Sequence, residues 1–214
     1  VIDRALTQAE LLSMWEHGQG QRPSRRALAL LPPDSASLPI GRRDASLLEL
    51  RVALFGSELS GVTSCPACGE EIELAFDAEE VRREPAADPG DDSFRLPTTE
   101  DLIAIEHAED LETARALLFA RCAGASDEPA EAIVARMAAA DPQADVQIDT
   151  ECPACSHRWR EPFDIAAFLW TEISVLARRL LGEVHELASM YGWSERDILS
   201  LSPARRNAYL EMVR

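Results

Sequence analysis

The 214-residue chain has a hydrophobic fraction of 46% and a charged fraction of 28%, the balance of an ordinary globular protein able to bury a core. Its formal net charge of -17 repels phosphate backbones and forfeits the counterion release that drives most nucleic-acid binding, so no nucleic-acid partner is expected. No apolar run approaches the roughly 18 residues of a membrane span, and Val1 to Gly20 lack the basic-then-apolar order of a signal peptide, so a soluble cytoplasmic protein with no membrane partner is expected.

Thr7 followed by Glu10 is a capping box, in which a hydroxyl and a carboxylate satisfy free N–H groups at a helix start. Leu11, Leu12 and Trp15 give that helix its apolar stripe, and Gly18 and Gly20 end it. Pro23 suits a first helical turn, and Ala27, Leu28, Leu30 and Leu31 continue a second short helix to Pro32-Pro33. The connector through Pro39 has no periodicity. From Gly41 to Phe55 the positions Leu47, Leu48, Val52, Leu54 and Phe55 predict a third helix, stopped by Gly56. Residues 1–61 therefore read as an N-terminal helical segment.

The next stretch changes character. Cys65-Pro66-Ala67-Cys68 is a C-x-x-C turn, and Cys152-Pro153-Ala154-Cys155 repeats it 87 positions later. The match extends past the turns, because Ile72 falls on Trp159, Phe76 on Phe163 and Asp77 on Asp164 at the same offset. Ile72, Leu74 and Phe76 alternate as in a half-buried strand, with Val62 suggesting the other arm of a hairpin; Val146 and Ile148 precede the second turn in the same way. Each Asp is placed to cap a following helix, and Phe163 with Phe168 would staple the second one.

A tetrahedral zinc site needs four soft or borderline ligands, and two such turns supply Cys65, Cys68, Cys152 and Cys155. The competing readings are two metal-free turns or a redox dithiol. A redox motif of the thioredoxin type opens a helix after a strand in an α/β pattern, which neither pair does. Four thiolates also close the coordination shell, whereas catalytic zinc keeps an open position, so the expected Zn2+ is structural and the chain is not expected to be an enzyme. His157 is the one alternative ligand nearby and reads instead as exposed or hydrogen-bonded. The expected hairpins span residues 62–81 and 146–164.

Between them, Glu84 to Pro97 is acidic and rich in Pro, Ala and Gly, so residues 82–98 read as an acidic flexible loop with little to bury. Residues 99–145 read as a helical insertion. Thr98 and Asp101 cap a helix carrying Leu102, Ile103 and Ile105; Asp110 starts another with Leu111, Leu117, Leu118 and Phe119; Ala130 to Ala140 forms a third, stopped by Asp141-Pro142. Cys122 reads as a small buried or half-buried side chain, and His107 with Glu106 and Glu109 as a solvated acidic face. Residues 165–214 begin with the longest helix, Ile165 to about Met190, which carries more apolar surface than one side of a small core needs. Tyr191-Gly192-Trp193 breaks it, and Ser194 with Asp197, then Ser202 with Pro203, mark two short closing helices; Arg205-Arg206 reads as a solvated face or an ion-pairing anchor. The fold class expected is mainly α with a small β zinc ribbon, two CPxC hairpins closing one site, α+β overall.

The run Phe163 to Trp170, with His185, Tyr191-Gly192-Trp193-Ser194, Asp197-Ile198-Leu199, Leu201-Ser202-Pro203 and Arg206, resembles the T4-type baseplate hub assembly chaperone family of contractile-tailed phages and bacterial contractile injection systems. Trp15 to Gly18, Leu28 to Leu31, Leu38 to Asp44 and both CPAC turns resemble the injection-system versions. The resemblance covers most of the chain, least in residues 82–97. It implies a non-enzymatic assembly factor or component whose partners are baseplate or hub/spike proteins. Trp170, Tyr191, Trp193 and Tyr209 are the candidate partner-binding residues, aromatic side chains that serve equally well in a core. The competing class is a zinc-ribbon nucleic-acid-binding or regulatory adaptor, but Glu70, Glu71 and Glu73 surround the first turn where such ribbons carry basic residues.

Overall fold

A computed structural model describes residues 6–84, 93–124 and 128–213. The chain is mainly α-helical with two separate two-stranded antiparallel sheets, an α+β fold. Thr7 and Glu10 form the capping box at the start of α1 (Gln8–Gly18), with the Thr7 N–H donated to the Glu10 carboxylate at 2.8 Å. Next, α2 (Pro23–Ala29) opens on its proline, where the missing N–H costs nothing. The connector without periodicity contains a short 3-10 helix, Pro33–Ser37, too brief to leave a periodic signal. The third helix, α3 (Ile40–Phe55), stops at Gly56, whose φ of 89° only glycine adopts easily.

The long helix α8 (Ile165–Tyr191) is about 40 Å from end to end at 1.5 Å per residue. Its buried residues Leu169, Ile173, Ala177, Leu180, Val184 and Leu187 recur at three- and four-residue steps, so one stripe faces inward and Val175 and Met190 stay exposed. The first half of that stripe packs against Leu11 and Leu12 of α1, Ala27 of α2, and Leu47 and Leu48 of α3. Arg51 of α3 is buried and paired bidentately with Glu172 of α8, at 3.0 and 2.9 Å, and also donates to the Gly56 carbonyl. Along the second half, Val184 and Leu187 meet Ile198 of α9 (Glu195–Leu199) and Leu210 of α10 (Pro203–Val213) in a smaller core. Arg206 is not part of a solvated face. It is 2% exposed, donates to Glu183 of α8 at 2.6 Å and to Gln8 of α1, and so ties the last helix to the first.

The insertion is a helical unit docked on α3. It comprises α5 (Thr99–Ile105), α6 (Leu111–Cys122) and α7 (Ala130–Ala140). The central part of the expected flexible loop, residues 85–92, lies outside the described residues. Its end is ordered packing: Phe94 and Leu96 are buried against Ile133, Phe119 and Met137, and the Arg95 N–H donates to the Cys122 carbonyl at 2.8 Å. Composition dominated the expectation there, and two alternating apolar residues override it. Asp101 anchors the unit, capping α5 with Thr98 while receiving Arg95 and Arg121. The Ile40 N–H reaches the Pro97 carbonyl at 3.0 Å, and the Gly41 N–H reaches the Asp141 carboxylate at 2.9 Å, which fixes the unit to the start of α3. Glu106 also departs from the solvated face expected of it. Its side chain is 8% exposed and faces Arg25 at 3.5 Å, while His107 is exposed.

Candidate metal centre

The first hairpin pairs β1 (Glu58–Ser64) with β2 (Glu71–Asp77), and the second pairs β3 (Gln147–Glu151) with β4 (Arg158–Pro162). The repeat reaches further than the cysteines. Thr63 opposes Ile72 as Thr150 opposes Trp159. Leu59 opposes Phe76, and Val146 accepts the Phe163 N–H at 2.9 Å in the equivalent place. β1 begins four residues before Val62, so the hairpin is longer than the sequence suggested, and Leu59 within that extension is buried. Asp77 caps the four-residue α4 (Ala78–Val81), and Asp164 caps α8 by accepting the Ala166 and Ala167 N–H groups at 2.9 and 3.1 Å.

Each turn is closed by the same two backbone hydrogen bonds. In the first, the Cys65 N–H donates to Glu70 and the Gly69 N–H to Cys65; in the second, the Cys152 N–H donates to His157 and the Ser156 N–H to Cys152. Closing the turn requires a positive φ at its fifth position, supplied by Gly69 at 78° and by Ser156 at 59°. Ser156 is the one non-glycine residue with positive φ among the described residues. The chain therefore accepts a strained residue to hold this geometry.

Four sulfurs converge as a result. Cys65 and Cys155 lie 3.7 Å apart, Cys68 and Cys152 3.6 Å apart, and all four sulfurs fall within 4.8 Å of one another. A tetrahedral centre with metal–sulfur bonds of about 2.3 Å has edges of about 3.8 Å, so the cluster is sized for one ion. Exchanging the two copies turns the Cys65–Cys155 pair into Cys152–Cys68, the other close pair. That is the signature of a local two-fold relation between the hairpins. Phe76 and Phe163, equivalent residues, meet edge to face at 5.4 Å between ring centres, and Phe163 also contacts Phe168 at 5.5 Å as the staple requires.

Electrostatics argue in the same direction. Burial opposes ionisation of Cys65, but the Ala67 and Cys68 backbone N–H groups directed at its sulfur prevail and bring the thiol down to about 7. Cys68 accepts the Glu70 N–H, which favours its thiolate, yet the neighbouring sulfurs, Cys155 first, push it up to about 12. Thiols crowded this closely do not all ionise unaided, and a cation at their centre allows it. Cys65 and Cys152 face the interior at 2% and 1% exposure, while Cys68 and Cys155 face outward. His157 stacks on Trp159 at 5.9 Å and stands outside the cluster. Cys122 is buried in the insertion, where burial and the Asp101 carboxylate push its thiol up to about 11.

Two residues not singled out from sequence join the hairpins. Thr63 donates to Glu161 at 2.9 Å, and Trp159 donates to the same carboxylate oxygen at 2.8 Å. Thr63 matches Thr150 at the 87-residue offset, which could have drawn attention to it, but nothing local marks Glu161 as the meeting point of Thr63 and Trp159.

The candidate partner-binding aromatics divide into two places. Tyr191 and Trp193 stack at 4.7 Å and Tyr209 packs edge-on against both, a cluster set by the left-handed Gly192 at φ 69°. Tyr191 remains 38% exposed, and Trp193 and Tyr209 are half-buried. Trp170 lies about 30 Å away along α8, half-buried, with its ring over Gly18 and the Arg26 guanidinium 5.4 Å from its centre. No helix among the described residues is long and apolar enough to cross a membrane. No protein-family model, curated protein or solved structure matches the chain.

Proposed function

We propose that this chain is a non-enzymatic assembly factor or component for the baseplate or hub of a contractile injection system or phage-tail-like particle, acting in the cytoplasm by binding baseplate or hub/spike proteins. The observation that carries the reading is the Tyr191, Trp193 and Tyr209 cluster. Tyr191 and Trp193 belong to the Tyr191-to-Ser194 segment, one of those that carry the family resemblance, and stacked, partly exposed Tyr and Trp rings are the side chains that anchor protein interfaces. A net charge of -17 keeps a protein with such a surface in solution. The metal in this reading is structural Zn2+, chosen by four thiolates in a tetrahedral spacing that leaves no position for substrate.

A second reading, the zinc-ribbon nucleic-acid-binding or regulatory adaptor, draws on Arg158 and Arg160 beside the stacked His157–Trp159 pair. Arg158 is already committed to Glu151 at 2.7 Å, which weakens it. Co-expression with the baseplate, hub and spike subunits of a contractile cluster tests both readings. A stable complex with one subunit, weakened by Tyr191→Ala, is expected. Failure to hold any of those subunits, together with salt-dependent binding of DNA or RNA, would replace the assembly reading by the adaptor.

A further inference from the structure

The four clustered sulfurs divide by exposure as well as by distance. Each close approach crosses from one hairpin to the other, Cys65 to Cys155 at 3.7 Å and Cys68 to Cys152 at 3.6 Å. Each also joins a buried cysteine to an exposed one, because Cys65 and Cys152 are buried while Cys68 and Cys155 are exposed. The local two-fold exchanges the two pairs, so chemistry open to one is open to the other. Cys122, buried in the insertion, stands outside the cluster. A disulfide brings its sulfurs to about 2 Å, so each pair has about 1.6 Å left to close. The Phe76–Phe163 contact and the Thr63 bond to Glu161 hold the hairpins side by side without help from the sulfurs, which keeps the crossing pairs in reach.

We propose that hydrogen peroxide converts this cluster into two cross-hairpin disulfides, Cys65–Cys155 and Cys68–Cys152, which makes the clamp covalent and frees it from any need for an ion. The exposed sulfur of each pair meets the oxidant, and the buried one resolves it. In the first step the Cys155 thiolate attacks a peroxide oxygen. An S–O bond forms, the O–O bond breaks, and the departing hydroxide takes a proton to become water, leaving Cys155 as a sulfenic acid. The Cys65 thiolate then attacks the Cys155 sulfur; the S–S bond forms as the S–O bond breaks, and the second hydroxide leaves as water after protonation. Cys68 and Cys152 follow the same course, each pair of thiols consuming one peroxide. The bridges join positions 90 and 84 residues apart, so the start of α8 keeps its support in oxidised protein. None of this chemistry depends on the assembly reading, and its failure would leave that reading untouched.

The test treats the purified full chain with hydrogen peroxide and digests it with trypsin in the absence of reductant. Cleavage after Arg51, Arg82, Arg136 and Arg158 leaves the first turn in peptide 52–82 and the second in peptide 137–158. Mass spectrometry is expected to find the two peptides joined, and denatured protein should fall from five titratable thiols to one, Cys122. Cys68→Ser with Cys152→Ser keeps the Cys65–Cys155 pair and should still form its bridge. Cys68→Ser with Cys155→Ser keeps only the two buried cysteines and should cross-link at least about tenfold more slowly. Oxidised wild-type protein should melt roughly 10–20 °C above chelator-stripped protein held in reductant. Separate peptides each closed within its own turn, sulfinic acids without bridges, or disulfide-linked dimers on a non-reducing gel would each overturn the proposal. Equal cross-linking rates in the two double variants would overturn the assigned roles, and equal melting midpoints would overturn the covalent clamp.

Discussion

Substituting Cys68 and Cys155 together by serine isolates the clamp from the core, because both side chains face outward and their loss opens no cavity. The inward pair Cys65 and Cys152 then stays in place, but a tetrahedral ion loses half its ligands. What disappears is a cross-link between positions 84 residues apart, Cys68 to Cys152. By the chain-entropy relation for a covalent bridge of that span, the cross-link stabilises the fold by about 4–5 kcal/mol. For a chain of this size about 1 kcal/mol moves the melting midpoint by 2–4 °C, so the variant should melt roughly 10–20 °C below the metal-loaded protein. Wild-type protein stripped with a chelator should melt with the variant, and the variant should ignore the chelator. The assay is thermal unfolding by circular dichroism, run beside metal quantitation expected to give one zinc per wild-type chain. Wild-type protein that is demonstrably metal-free yet melts within about 2 °C of the loaded form would refute the clamp.

Ser156→Gly should stabilise the chain by about 1 kcal/mol in denaturant melts by relieving a left-handed residue, whereas Gly69→Ala should destabilise it by about 1–2 kcal/mol; unchanged midpoints for both would show that the turn tolerates either. Acid has two opposed effects. Burial, working against Arg43, pushes the Asp44 carboxyl up to about 6, above its unfolded value of about 4, so stability should rise as pH falls through that window. Arg95 holds Asp101 well below the ordinary carboxylate range, so its contribution is present above about pH 4 and is lost on further acidification. In chelator-stripped protein, where acid release of a metal plays no part, melting midpoints from pH 7 to 4 should therefore show a gain that Asp44→Asn reduces, burial raising the Asp141 carboxyl as well; an undiminished gain in that variant would place its source elsewhere. Arg206→Leu should cost about 1.5–3 kcal/mol by leaving the mostly enclosed Glu183 with Arg179 at 3.5 Å as its remaining cation, and adding Glu183→Leu should recover most of it; a double variant as unstable as the single would contradict the pairing argument.

What the sequence made legible was carried by local chemistry. Thr7 with Glu10, Asp77, Asp164 and Ser194 each cap a helix within three residues of the group they satisfy, so their meaning does not depend on the rest of the fold. The cysteine cluster was legible for a different reason: a repeat at fixed offset exposes a long-range contact that neither copy reveals alone. Arg206 was legible only in kind: an ion-pairing anchor was one of its two readings, but its partners Glu183 and Gln8 lie 23 and 198 residues away and no local pattern marks them. Phe94 and Leu96 were masked by acidic, Pro-rich neighbours, although burial is decided by the two side chains and not by the average around them. Ser156 hid a strained backbone, visible only by setting it against Gly69 at the repeat offset.

The two copies of the hairpin do unequal work, and the inequality explains the placement of the candidate metal centre. Asp77 launches a helix of four residues, while Asp164 launches one of 27 that runs through both larger cores of the molecule. A two-stranded hairpin alone is marginal in water, so the start of α8 needs support from outside its own hairpin. The first copy provides it by sharing sulfurs with the second, through the Phe76–Phe163 contact, and through the Thr63 bond to Glu161. Further along, Arg51 grips Glu172 and Gly18 leaves room for the Trp170 ring, so the orientation of α8 is fixed within its first two turns. The aromatic cluster at the far end is held by α9, α10 and the Arg206–Glu183 pair, not by the metal. A metal held by the four sulfurs would therefore act on the direction of the long helix, and any effect on a surface about 40 Å away would travel through that helix as a rigid element.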